Sequence, residues 1–332
     1  MKGESSISGK PAICNGIRMN NKKNWGKVLR EFGLVFVIIF IVVLMTIVKP
    51  VFLSSGNILN ILRQVSINGI LAVGMTFIIL TGGIDLSVGS LVAVTSVISG
   101  SLLMNDGNVF LACVVGVLAA VAFGVLNGYL VAYIGFQPFI ATLASTTIGR
   151  GFAMVYSNGK PYTITNESFL AIGQGNVLGV PTPIIILVIV CIIGLVVLKC
   201  TTFGRYVFAI GGNKNAAKLS GVKTRKVEMM VYILSGVCCG IVGLILSARI
   251  SSGQPTAAEG FELDAIAATA IGGTSMSGGI GGLRGTIFGF IIIGLISNSL
   301  NLVNVNSFWQ QIVKGFIILL AVLMDMKTKS RE

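Results

Sequence analysis

The sequence predicts an all-α polytopic membrane protein of about ten transmembrane helices, with both termini cytoplasmic. Three observations lead there. Of the 332 residues, 54% are hydrophobic and only 11% charged, giving a mean hydropathy of +0.92, whereas soluble domains carry roughly 25% charged residues. Eighteen of the 24 Lys and Arg lie in Met1–Arg30, in Lys199–Lys226, at Arg284 and after Asp325. These are short hydrophilic segments beside apolar runs, the pattern that orients membrane proteins with their basic loops inside. Finally, charge-free runs recur at about the 20 residues needed to cross a bilayer. Glycine, 43 of 332 residues, is close to twice its usual share of about 7%, as close helix packing in membranes favours.

The runs place the spans in order. The first is Phe32–Val48, between Glu31 and Lys49, followed by Gln64–Ile84 and Leu86–Asn105. Gly107–Gly149 is too long for one helix and breaks at Gly135-Phe136-Gln137-Pro138, because proline cannot continue a helix and disfavours helical geometry before it. A fifth span then runs from Pro138 to about Ser157, carrying Arg150. Thr182–Leu198 and Met229–Ala248 are the sixth and seventh, and the glycine-rich Asp264–Ile280 is the eighth. Thr286–Val303 and Phe308–Met324 complete ten. The seven prolines (Pro11, Pro50, Pro138, Pro161, Pro181, Pro183, Pro255) all fall at span edges or outside them. An even count puts both basic ends on one side. The expected organisation is a cytoplasmic tail (residues 1–30), a transmembrane domain (31–326) with a cytoplasmic loop (201–228), and a short tail (327–332). Asp106, Glu167, Glu259 and Glu262 then fall outside, with Lys160 the exception. The first apolar run reads as a retained helix, since its basic leader is long and no small-residue cleavage site follows.

Several chemistries are excluded. There is no histidine, and Cys14, Cys113, Cys191, Cys200, Cys238 and Cys239 show no metal-ligand spacing, so imidazole, zinc and Cys–His catalysis are absent. No metal or cofactor is expected on this chain. No G-x-x-x-x-G-K-[S/T] phosphate loop occurs, so any ATP is used by another subunit. Charge confined to loops beside apolar runs argues for the lipid bilayer as partner and against nucleic acid.

Two segments are candidates for function. Within 201–228, Asn213 precedes helix formers (Ala216, Ala217, Leu219) and Gly221 follows, the signature of a short capped helix. A basic solvated loop is the alternative. Within the apolar region, Thr81–Ser90 and Ile271–Gly282 are polar, glycine-rich interruptions. Paired interruptions are what two related halves of a transporter produce, with broken helices near the substrate path; tight turns at the cytoplasmic edge are the alternative. Gly124/Gly128, Gly236/Gly240 and Gly281/Gly285/Gly289, spaced four apart, read as helix-packing positions. Asp85, Arg150 and Asp264 should face the interior or lie at span edges. The amides and hydroxyls Asn68, Asn127, Gln137, Thr142 and Asn301, with Asp85, are candidates for a hydrogen-bonding substrate path; bonding between helices would satisfy them equally.

Thr81-Gly-Gly-Ile-Asp-Leu-Ser-Val-Gly-Ser90, Phe203-Gly-Arg-Tyr206 with Gly211-Gly-Asn213 and Leu219-Ser-Gly221, Leu263-Asp-Ala-Ile-Ala267 and Gly272-Gly-Thr-Ser275 resemble the membrane permease of bacterial ribose-type ABC sugar importers. The resemblance extends from about Phe32 to Asp325 and includes Asn298-Ser-Leu-Asn-Leu302 and Gln311-Ile-Val-Lys314. It implies a multi-pass subunit of the bacterial cytoplasmic membrane that passes a monosaccharide by alternating access. It also implies a second permease copy, an ATP-binding subunit and an extracytoplasmic sugar-binding protein as partners. By the same resemblance Gly204, Arg205, Asn213, Ala216, Ala217, Leu219 and Gly221 belong to the segment that couples to the ATPase. An ion-coupled secondary sugar transporter, with Asp85 as proton site, is the competing expectation, and a non-transporting scaffold a third.

Overall fold

The computed structural model describes residues 21–104 and 107–329. The leader up to Asn20 (with Cys14), Asp106 and the last three residues of the C-terminal tail lie outside them. The backbone is helical almost throughout. Helix α1 spans Asn21–Val48, α2 Ser55–Leu80, α3 Val88–Leu102, α4 Val109–Tyr129 and α5 Pro138–Ser157. After α6 (Glu167–Gln174) come α7 (Thr182–Cys200), α8 (Thr202–Gly212), α9 (Lys214–Leu219) and α10 (Thr224–Arg249). The chain closes with α11 (Phe261–Ile271), α12 (Leu283–Leu302) and α13 (Ser307–Lys329).

Local chemistry sets these boundaries. The Ser54, Asn108, Asn166, Thr201 and Asn213 side chains each accept a hydrogen bond from the amide three residues on, satisfying donors that a helix start leaves free. At the break between α4 and α5, a π-turn over Leu130–Ile134 ends at Gly135 (φ +89°), Gln137 is extended, and Pro138 opens the next helix. Helix α5 therefore begins at the residue where the Gly/Pro signals start the fifth run. Helix α2 begins at Ser55, nine residues before the predicted Gln64, because Arg63 is tolerated at the helix flank: its Nη2 donates to the Gln174 carbonyl at 3.4 Å.

Five helices are long and apolar enough to cross a membrane among the described residues: α2, the α4 rod through Ile134, α7, α10 and α12. Shorter apolar helices cover Phe32–Val48, Val88–Leu102 and Ser307–Leu320. The expected eighth span is corrected. Only Phe261–Ile271 is helical, roughly 16 Å at 1.5 Å per residue against a ~30 Å hydrocarbon core. Gly272–Gly282 leaves the helix and reaches the surface at Ser277 and Ile280.

Helix α2 is buried along most of its length, while α7 and the α4 rod are buried over only about a fifth of their most apolar stretch. The packing repeats under exchange of α2 with α10, α3 with α11, α4 with α12 and α5 with α13. Thus α10 packs on α3 and α4, and α2 on α11 and α12; α3 carries α4 and α5, and α11 carries α12 and α13. The two glycine-rich interruptions are not equivalent under this exchange, since one joins α2 to α3 and the other joins α11 to α12. The expectation that they mark matching positions is corrected. They lie instead at the same end of the bundle, in contact with each other.

Two of the four-residue glycine pairs line the α4–α10 seam, each glycine against the backbone of the facing helix. Gly124 lies on Tyr232 and Gly128 on Met229, while Gly236 lies on Ala120 and Gly240 on Val117. A Cβ on Gly236 would stand 2.8 Å from the Ala120 carbonyl oxygen, so Gly236→Leu forces the two backbones apart. We expect a loss of about 1–3 kcal/mol, read as a lower thermal midpoint of the purified chain in detergent; an unchanged midpoint would show that the seam yields freely. Gly285 and Gly289 pack likewise on Gly272 and Ala268, whereas Gly281 belongs to the turn, with φ +124°.

At the opposite end, the segment after α5 folds onto α10. Strands β1 (Tyr162–Thr163) and β4 (Ser252–Gly253) pair antiparallel, as do β2 (Asn176–Val177) and β3 (Val180–Pro181). The Gln174 side chain donates to the Ala248 carbonyl and to Ser251 Oγ, both at 2.9 Å.

Candidate coupling site and polar path

A six-residue helix is unstable alone in water, so α9 has to be held. Asn213 ends α8 and caps α9, its Oδ1 accepting from the Ala216 amide at 2.9 Å. Lys214 Nζ reaches Glu228 Oε1 of α10 at 2.7 Å. Ala217 is buried, packed with Val207, Ile210 and Val227, and Gly221 (φ +84°) turns the chain toward α10. Asn215, Ala216, Lys218 and Leu219 face outward, the last 89% exposed. The Ala217 methyl thus anchors α9 to the protein, while Ala216 and Leu219 are the exposed members of the expected contact. Gly204 lets α8 approach the end of α7, a Cβ there falling 2.1 Å from the Leu198 carbonyl oxygen. Arg205 is exposed.

The far end of α8 meets both interruptions. The Gly279 amide donates to the Leu80 carbonyl at 3.0 Å. A Cβ on Gly211 would fall 1.9 Å from that same oxygen and 2.3 Å from the Gly279 nitrogen. Three chain segments thus touch backbone to backbone, and only glycine fits between them.

The first interruption then enters a buried polar cluster. Asp85 Oδ1 accepts from the Ser87 amide at 2.8 Å and from Ser87 Oγ at 2.6 Å, and Oδ2 accepts from Ser235 Oγ of α10 at 3.1 Å. Asn127 of α4 donates to Ser87 Oγ at 2.9 Å, and its Oδ1 accepts from Ser145 of α5. Thr142 Oγ1 donates to the Pro138 carbonyl at 2.9 Å and approaches the Ile84 carbonyl at 3.3 Å. Asp85, Ser87, Asn127, Thr142, Ser145 and Ser235 are all buried, as irregular backbone within a membrane protein requires. Among the described residues no group of acidic, Cys or His side chains could hold a metal.

With this geometry in hand, the comparisons with known proteins decide the family. The family described as "Branched-chain amino acid transport system / permease component" matches residues 57–322. The chain belongs to this permease family. The ribose import permease protein of Bacillus subtilis (strain 168) is 46% identical over 302 residues, 90% of this chain and 94% of its own length. That of Escherichia coli (strain K12) is 44% identical over 309 residues, covering 92% and 95%. The L-arabinose transport system permease protein of Escherichia coli (strain K12) is 36% identical over 302 residues, covering 91% and 92%. No solved structure matches the chain.

In this permease the remaining candidates separate. Asn68 is buried in α2, with its Nδ2 unpartnered among the described residues. Gln137 and Asn301 are exposed at opposite ends of the bundle, the latter accepting from Gln310 Nε2 at 2.8 Å. Only Asp85, Asn127 and Thr142 of the six come together. Sequence reading missed Ser87, Ser145 and Ser235, and also Glu228 and Tyr232, whose Oε2 and Oη are buried without partners among the described residues. Asp264 is interior and bonded to Lys314 of α13 at 2.8 Å. Arg150 ties α5 to the segment before α11, donating to the Pro255 and Ala257 carbonyls at 2.7 and 2.9 Å.

Proposed function

We propose that this chain is the membrane-spanning subunit of an ATP-driven importer that passes a monosaccharide, ribose first, across the bacterial cytoplasmic membrane. The carrying observation is 44–46% identity to ribose import permeases over about nine-tenths of the chain. Arabinose permeases at 35–36% stand further off. The chain is a transport subunit, not an enzyme: it has no phosphate loop, so ATP is hydrolysed by a separate ATP-binding subunit. A binding protein outside the membrane delivers the sugar, and a second permease copy completes the path. The basic residues gathered over 199–226 support placing α8 and α9 on the ATPase side of the membrane. The exchange symmetry of the packing supports two inverted halves, and the short α3 and α11 supply the broken helices of such folds.

The polar cluster suits a neutral substrate. A sugar needs hydrogen-bonding amides and hydroxyls and no compensating charge, and Asn127, Ser145 and Thr142 offer these around a carboxylate whose acceptor positions are taken by Ser87 and Ser235. Vesicles reconstituted with the permease, its ATPase and its binding protein should accumulate labelled ribose only with ATP inside the ATPase compartment. Ribose uptake driven by a pH gradient in vesicles lacking the ATPase would establish a secondary transporter instead.

A further inference from the structure

We infer that the permease carries a binding site for one anionic phospholipid beside its coupling segment. A recess of about 380 Å³ opens where α8 passes the start of α10, lined by Thr202, Phe203, Tyr206, Lys223, Lys226 and Met230 among others. Its rim is cationic and its floor apolar. Lys223 and Lys226 are exposed, neither forms an ion pair among the described residues, and no acidic side chain lines the recess. The nearest carboxylate in sequence, Glu228, is turned inward and bound to Lys214.

The recess does not end at the helix terminus. Lys226, Met230 and Val237 recur at four and seven residues along α10, so they lie on one helix face, and Lys223 stands at the helix start beside them. Met230 and Val237 are 45% and 37% exposed on a helix long and apolar enough to cross a membrane. Two unpaired ammonium groups therefore stand at the head of an apolar stripe that runs down into the bilayer. This matches a lipid with a phosphate head and acyl chains: the lysines take the phosphate, Tyr206 and Thr202 offer hydroxyls to the glycerol region, and Phe203, Met230 and Val237 hold the first stretch of chain. A soluble phosphate would use the lysines but leave the stripe unoccupied.

The test uses the full-length permease in neutral-detergent micelles doped with phosphatidylglycerol or phosphatidylcholine, with retained lipid counted by native mass spectrometry. The wild type should retain phosphatidylglycerol about tenfold or more over phosphatidylcholine. Lys223→Gln with Lys226→Gln should remove that preference, while Lys218→Gln, an exposed lysine outside the recess, should keep it. Lys223→Arg with Lys226→Arg preserves the charge and should restore retention, which separates loss of the site from loss of folding. Equal retention by the wild type and the double Gln variant overturns the site. Displacement of phosphatidylglycerol by millimolar glycerol phosphate assigns it to soluble anions and overturns the lipid. Loss of ATPase binding in the double Gln variant, with lipid retention intact, makes the recess a protein contact and overturns it equally.

Discussion

Leu219→Glu is expected to abolish ATP-driven sugar uptake while leaving the permease folded in the membrane. Leu219 makes no demand on the interior, being 89% exposed, yet it is an apolar side chain on a segment otherwise basic and polar. A leucine in that position belongs in a partner's pocket, where truncating an anchor costs about 2–4 kcal/mol, or about 30-fold or more in affinity. Placing a carboxylate there adds the cost of burying an unpaired charge. In vesicles containing the ATPase, uptake and stimulation of ATP hydrolysis should both fall at least tenfold, with an unchanged elution profile for the permease alone. The neighbouring Lys218→Gln should leave both nearly intact. Wild-type uptake by the Leu219→Glu variant would sever α9 from coupling.

Asp85→Ala should be the most damaging single change in the interior. It strips acceptors from the Ser87 amide, Ser87 Oγ and Ser235 Oγ, all of them buried. Hydrogen bonds to a carboxylate contribute about 1.5–3 kcal/mol each, so a loss on the order of 3 kcal/mol or more is expected even with relaxation. Thermal unfolding in detergent should shift down by several degrees, and uptake should drop below a tenth. Asp85→Asn retains an acceptor for Ser87 but turns a donor toward Ser235, so its loss should be intermediate. In both variants the residual uptake should still need ATP and ignore a protonophore; protonophore-sensitive uptake would make Asp85 a proton site.

Much of the fold is legible where local chemistry decides it. Gly135 and Pro138 act on their own backbone, so the start of α5 could be placed to the residue. The glycines of the α4–α10 seam could be anticipated as close-packing positions but not as contacts between those two helices, because which helices meet is a tertiary fact. The eighth span failed for a reason present in the sequence. Counting uncharged residues ignores that six of the eleven from Gly272 to Gly282 are glycine, and at about 1 kcal/mol each relative to alanine they cannot be held in a helix. The polar cluster was half legible. Asp85 and Asn127 stand out because a carboxylate or amide in an apolar run needs a partner. Ser87, Ser145 and Ser235 do not, since a serine usually bonds its own helix one turn back and leaves no trace in the pattern. Ala217 shows the complementary limit: on six residues no periodicity distinguishes the inward face from the outward one.

The joint at Leu80, Gly211 and Gly279 has a mechanical meaning. Most helix contacts are cushioned by side chains that can change rotamer and absorb a displacement of an ångström. Here main chain bears directly on main chain, with no side-chain torsion available to yield. Such a contact has little compliance, so a push delivered to α8 moves the end of α2 and the turn before α12 by nearly the same distance and with little delay. The stiffness also closes off gradual change. A methyl on Gly211 would collide with two partners nearly two hundred residues apart, and no single substitution in either of them would make room.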